Sequence, residues 1–231
     1  MGWNRRRIVA CATSLLGASS LLGCKDNSAN ELVGELGNGT FTYLCEVDSD
    51  AQCDVGEDTS DLALTHIVLR GRFGIGYSKT IQGFRPASDL RIKYDDATQL
   101  WEGTEAGWVA VIAVAAGQGD DFAHFRIVEP AGLVISRRET SGSFEGSLGG
   151  LSVDLSVQGT ITLRVAPVDD QDEVLAGGLT CEWWSNNPDV ADVVGDETDN
   201  VVEVTAHQAG TAIINVHLGD LTAQTTVEVG G

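Results

Sequence analysis

The feature that most constrains this chain is a set of Val/Ile/Thr-rich runs near its end. Val190 to Val194, Val201 to Ala206, Thr211 to Leu218 and Thr222 to Val229 alternate apolar and polar residues, with polar or Gly-containing turns between them. A period of two sends alternate side chains to opposite faces, so each run reads as a strand with one buried face. The pattern extends back through Leu151 to Val157, Thr160 to Val165 and Leu179 to Trp183, the last read as a central strand. Strands at intervals of about 8–12 residues with turns between them predict an antiparallel β-sandwich. No long segment sustains a helical period, and 28 Gly with a single Met favour short strands and turns.

An earlier stretch repeats the pattern. When Gly107 is set on Gly210, Trp101 to Val111 falls on Val204 to Ile214. Each copy runs from Ala-Gly through an apolar strand and a Gly/Asp turn to a last alternating strand, Phe122 to Val128 or Thr222 to Val229. The offset is about 103 residues, the size of one immunoglobulin-like sandwich. Gly107 and Gly210 mark a tight entry into a hairpin strand, where only Gly takes a positive φ without Cβ strain. The expected organisation is all-β, with two tandem sandwiches over residues 37–130 and 131–231.

The later copy carries linked motifs: Trp183-Trp184-Ser185-Asn186-Asn187-Pro188-Asp189-Val190-Ala191-Asp192-Val193, then Val204-Thr205-Ala206, Ala209-Gly210-Thr211-Ala212-Ile213-Ile214 and Val227-Glu228-Val229. These resemble the bacterial Ig-like domain of group 2, a family found in intimin-type adhesins and other surface proteins. The resemblance covers about half of the chain after its leader and implies an Ig-like sandwich. A second Trp at 184 and the long acidic turn from Gly195 to Asn200 depart from the family pattern. The first half matches only in its second part.

The N-terminus reads as a targeting segment. Arg5, Arg6 and Arg7 precede an apolar stretch, Ile8 to Leu22, that is shorter than the roughly 20 residues a spanning helix needs. It ends in Leu21-Leu22-Gly23-Cys24, which resembles a bacterial lipobox and implies a signal peptide over 1–23 and a lipidated Cys24. Residues 24–36 then serve as a flexible tether, within a polar stretch that runs from Lys25 to Gly39. Lys25 after the lipidated Cys points, by analogy with lipoprotein sorting in enteric bacteria, to the outer membrane. Removing the leader, which holds three Arg and no acid, takes the net charge from −20 to −23. Such a charge argues against nucleic acid as a partner.

Cys11 leaves with the leader, so Cys45, Cys53 and Cys181 remain inside the mature chain. In an oxidising compartment the close pair Cys45 and Cys53 is expected to form a disulfide. A closed zinc site wants four ligands, and no His lies near the pair. Cys181 alternates with Leu179 and Trp183, which predicts a buried thiol. Trp183 is expected in the core, and Trp101 and Trp108 in a core or an interface. Trp184 points the other way from Trp183 and is the candidate ligand platform. Acidic clusters such as Asp169, Asp170 and Asp172, or the 48–58 loop, are candidate Ca²⁺ ligands, although none has a recognised spacing. No nucleophile, zinc-protease or phosphate-loop motif is present, so no catalytic residue is assigned. The expected function is a non-enzymatic, membrane-anchored envelope lipoprotein acting in adhesion, scaffolding or spacing, with no cofactor. The alternative is a Ca²⁺-dependent or carbohydrate-binding module, and either reading allows a protein or carbohydrate partner.

Overall fold

The computed structural model describes residues 31–47, 49–53, 66–138, 144, 145, 148, 152–195 and 199–231. The described residues form strands and turns, with no helix among them. The first half holds β1 (Glu31–Val33), β2 (Thr40–Leu44), β3 (Ile67–Val68), β4 (Arg72–Tyr77), β5 (Gly83–Pro86), β6 (Ile92–Asp95), β7 (Leu100–Gly103), β8 (Gly107–Ala115) and β9 (Gln118–Val128). The second holds β10 (Gly132–Arg138), β11 (Phe144–Glu145), β12 (Ser152–Ser156), β13 (Thr160–Val168), β14 (Glu182–Ser185), β15 (Ala191–Val194), β16 (Val201–Ala206), β17 (Gly210–Leu218) and β18 (Leu221–Gly230).

Each half packs two sheets around its own core. In the second, the order β11-β10-β13-β16-β15 faces β12-β18-β17-β14. The edge strand β12 joins β18 in parallel, while the other pairs in these sheets are antiparallel. The first half repeats this: β1-β2-β4-β7-β6 faces β3-β9-β8-β5, and β3 joins β9 in parallel. The added strand β1 extends its outer edge. The hairpin of β17 and β18 shows why the sequence folds this way. Ala212, Ile214 and Val216 pair across to Val227, Thr225 and Ala223, and Ala212, Ile214, Val216 and Val227 are fully buried. Thr211, Asn215 and His217 take the other face, and Gly219 turns the chain at φ +56°. Gly107 and Gly210 both open the matching strands, β8 and β17, at φ +129° and +151°. At Gly210 a Cβ would also lie 2.9 Å from the Val190 side chain, so the expected Gly requirement has a steric cause there as well.

Trp183, Leu163, Val204, Ile214 and Val227 centre the second core. Phe41, Phe73, Trp101, Phe125 and Ile127 centre the first. Three sequence expectations change. Leu179 to Cys181 is not strand, and β14 stands at a sheet edge rather than centrally. Trp108, expected in a core or an interface, is 55% exposed, because the phase that buries Val109, Val111 and Ala113 turns it outward, which removes the core alternative. The tether is shorter than read: from Glu31 onward it is built into the sandwich through β1.

The halves are also joined by main chain. Between β13 and β14, the segment from Val174 to Gly178 runs along the first sandwich. Ala176 bridges Ile67 and Gly178 bridges Arg72. Val68 N–H donates to Ala176 O at 2.8 Å, Ala176 N–H to His66 O at 3.0 Å, and Arg72 and Gly178 exchange bonds at 2.9 and 2.8 Å. Ala176 thereby becomes part of the first core, while Val68, Leu175 and Leu179 form a small apolar cluster with Val128 and Leu218.

Candidate functional site at the junction

The junction is held by the loop that Cys45 and Cys53 close. Their disulfide is present, with a Cα–Cα separation of 5.4 Å. The closure draws the described part of the loop in tightly: Asp50 N–H reaches Val47 O at 3.0 Å, and Cys53 N–H reaches Asp50 O at 2.9 Å. This buries Asp50. Its carboxylate accepts from the Tyr43 hydroxyl, from Gln52 N–H at 3.0 Å and from Gly177 N–H at 3.1 Å. Burial costs a charge several kcal/mol unless hydrogen bonds replace water, and these donors do so. Gln52 adds Nε2–H to Val174 O at 2.7 Å, and Arg164 Nη1 donates to Ala51 O at 3.1 Å. One short loop therefore holds the first sheet on one side and the β13–β14 segment on the other. Gly178 fits because a Cβ there would overlap Val47. Burial, and then the charge and hydrogen bond of Asp50, push the Tyr43 hydroxyl well above the ordinary tyrosine range. The phenol stays protonated and donating at physiological pH.

The residues singled out from sequence do not converge. Cys24 lies outside the described residues, as does part of the 48–58 loop. Trp183 is 1% exposed and its indole N–H donates to Asp199 O at 2.8 Å. Cys181 is a buried free thiol, pushed up to about 12 by burial and then by Asp199. Trp184 is 43% exposed, its ring edge-on to His217 at 5.5 Å, and His217 Nε2 lies 3.0 Å from Glu182 Oε2. A groove of about 550 Å³ runs past Trp184, Asn215, Thr222 and Gln224 to Leu133 and Ile135. Asp169 spends its carboxylate on its own turn, accepting from Gln171 N–H at 2.9 Å and Glu173 N–H at 3.0 Å. Those bonds hold it below the usual carboxylate range. It forms no metal-holding cluster with Asp170 and Asp172, and none occurs elsewhere among the described residues.

Asp121, which with Asp120 reads from sequence as one more solvated acidic cluster, is instead buried at 1% exposure. Its Oδ1 accepts from Leu36 N–H at 2.9 Å and Phe122 N–H at 2.8 Å, and Oδ2 from Asn38 N–H at 2.8 Å and Gly39 N–H at 3.0 Å. Burial raises its pKa, but the four amides outweigh burial and leave the carboxyl below its ordinary range. This buckle fastens the turn between β1 and β2 to the start of β9. Two glycines, Gly34 and Gly39, flank that turn because a Cβ would overlap Asp121 or Tyr77. Two Gly spaced around a turn, with an Asp-Asp step in a distant hairpin, give no local pattern to read.

No protein-family model matches the chain, and no curated protein matches it. Among solved structures, domains 4 and 5 of the S-layer protein SbsC are similar at 14% identity and a TM-score of 0.33, over 64% of this chain and 75% of that one. A glycosyl hydrolase family 2 member from Bacteroides cellulosilyticus is similar at 10% identity and a TM-score of 0.32, over 71% of this chain and 23% of that one. Invasin, a bacterial integrin-binding protein, is similar at 12% identity and a TM-score of 0.31, over 69% of this chain and 36% of that one. The chain thus spans less than two thirds of the length of the last two. The class rests on strand order. β10-β13-β16-β15 against β14-β17-β18, and β2-β4-β7-β6 against β5-β8-β9, each follow the A-B-E-D and C-F-G arrangement of the immunoglobulin fold. Both halves of this protein are Ig-like β-sandwiches.

Proposed function

We propose that this chain is a non-enzymatic envelope lipoprotein, carried on an acylated Cys24, whose paired sandwiches act as a scaffold, spacer or adhesin at a membrane surface. We further assign the second sandwich to the group 2 bacterial Ig-like type on the motifs quoted above. The observation that carries the reading is the main-chain junction from Val174 to Gly178. A spacer must hold its length, and two sandwiches joined only by a linker would swing independently. Here backbone bonds worth about 1 kcal/mol net apiece, a buried Asp50 and a disulfide bind them together. The lipobox supplies the other half of the argument. Cys24 precedes β1 by seven positions, a reach of at most about 25 Å of extended chain. The unit would sit close to its anchor. Acyl chains contribute about 0.8 kcal/mol per buried CH₂, and two or more hold a protein at a bilayer. The test is processing: globomycin should hold the chain as an uncleaved precursor in the inner membrane, and Cys24→Ala should abolish lipid labelling and cleavage. Unchanged processing and partitioning would overturn the anchor.

A further inference from the structure

A solvent-facing sheet in an antiparallel sandwich is polar outside and apolar inside. The β5-β8-β9 sheet breaks that rule. β8 reads Gly-Trp-Val-Ala-Val-Ile-Ala-Val-Ala, apolar on both faces. Val109, Val111 and Ala113 point into the core, which leaves Trp108, Ala110, Ile112 and Val114 outside. Register places Ile112 between Arg85 and Phe122, Ala110 beside His124, and Trp108 beside Arg126. The result is an apolar centre with cations at its margins. A depression of about 360 Å³ opens on it beside Leu36, itself 59% exposed.

The matching face of the second sandwich has the opposite character. With Gly107 set on Gly210, Thr211 replaces Trp108, Asn215 replaces Ile112 and Gln224 replaces Phe122. Trp184 stands where Arg85 does, and Glu228 where Arg126 does. Glu182 and Asp154 add further carboxylates, and β12, β14, β17 and β18 contain no Lys or Arg. Beyond Arg138 the chain has one Lys or Arg, Arg164, and its guanidinium lies over the Phe144 ring at 4.5 Å; His217 on this face is paired with Glu182.

We propose that the β5-β8-β9 face of the first sandwich docks the β14-β17-β18 face of the second sandwich in another copy of this chain, Trp108, Ile112, Arg85 and Arg126 meeting Trp184, Glu182 and Glu228. The carboxylates of the second face, Glu228 where the first has Arg126 and Glu182 near its edge, suit it to the cations of the first. A first-sandwich face stacked on its own kind would set Arg85 and Arg126 against like charge. Because the two surfaces differ, the contact is heterologous: it closes a pair when both copies reciprocate and otherwise runs on as a row. Three strands about 4.8 Å apart present a few hundred Å², below the roughly 800 Å² per partner of a stable complex. Such a contact is weak in dilute solution and forms where copies are crowded, a clause that rests on the anchored reading.

The test uses the full chain in its own envelope, with Trp108 replaced by the photo-crosslinker p-benzoylphenylalanine and two copies carrying different tags. The expected product joins the two tags, and its cross-linked peptide maps to β14, β17 or β18. Combining Arg85→Glu with Arg126→Glu should cut the yield at least tenfold. Glu182→Arg with Glu228→Arg in the partner copy should restore it. An adduct to a different protein or to a glycan, an adduct mapping to the first sandwich, or no adduct at all overturns the proposal. The same full chain, purified and concentrated, separates the two readings. If only the anchor is wrong, the adduct still forms there; if the docking is wrong, it forms in neither setting.

Discussion

Replacing Asp121 with Asn changes one atom and should unfasten the turn between β1 and β2. The carboxylate accepts four backbone N–H bonds, two on each oxygen. Asn keeps one oxygen and aims an NH₂ group at two N–H donors. Hydrogen bonds to charged groups contribute about 1.5–3 kcal/mol each. Leu36 and Asn38 are exposed, so water recovers part of the loss at their amides. The net cost is then about 2–3 kcal/mol, or about 5–10 °C in Tm for a chain of this size. pH supplies an internal control. The Asp121 pKa lies below its unfolded value of about 3.9 in the folded protein, so its contribution is fully present above that value. It is lost as pH falls through the lower, folded pKa. The Asn variant has no such proton to gain. Urea unfolding followed by Trp fluorescence at pH 7 should show the full gap between the two proteins, and the gap should narrow steadily below about pH 4. A gap under about 0.5 kcal/mol at pH 7, or one that stays constant to pH 2, would refute the buckle.

Three further outcomes follow from the same structure. Cys45→Ser with Cys53→Ser removes an eight-residue closure and should cost about 2.5 kcal/mol in denaturant unfolding; a loss well under 1 kcal/mol would mean that the loop keeps Asp50 seated without the bridge. Trp183→Ala should cost about 3–5 kcal/mol, while Trp184→Ala, on the open face, should change stability by less than about 1 kcal/mol; equal effects would contradict the assigned strand phase. Cys181 should resist iodoacetamide at pH 8 in the native protein and react once urea unfolds it, since its thiol is pushed up to about 12; rapid native labelling would place it outside the core.

What was legible in the sequence is what local chemistry encodes. Alternation over a few residues placed β13, β16, β17 and β18, and the shared Ala-Gly step identified both β8 and β17. For Trp108, expected in a core or an interface, strand phase excludes the core. Val109, Val111 and Ala113 recur at a period of two, which puts Trp108 on the opposite face. The continuous apolar run of β8 is legible too, and it marks the open face proposed above for docking. The buckle and the junction had no such trace. Ala176 pairs with Ile67 and Asp121 reaches back to Leu36. No periodicity links residues that far apart in the chain, and Val174 to Gly178 reads locally as a turn.

That junction bears on what counts as a folding unit here. The repeat suggests a cut after Pro130, leaving two sandwiches of similar size. The contacts do not divide there. Without residues 174–178, Ile67 and Arg72 lose their bridges to Ala176 and Gly178, and Asp50 loses the Gly177 amide. The first core also loses Ala176 itself. A buried carboxylate short of a donor costs about 1–3 kcal/mol, and several lost backbone bonds add about 1 kcal/mol each. Against a total stability of roughly 5–15 kcal/mol, a chain ending at residue 130 should melt well below the first sandwich of the whole protein. Adding a peptide spanning 172–180 should raise that melting temperature in a concentration-dependent way, as any ligand of the folded state does. A truncated chain that melts with the intact protein, and ignores the peptide, would show that the two sandwiches only touch where we find them interlocked.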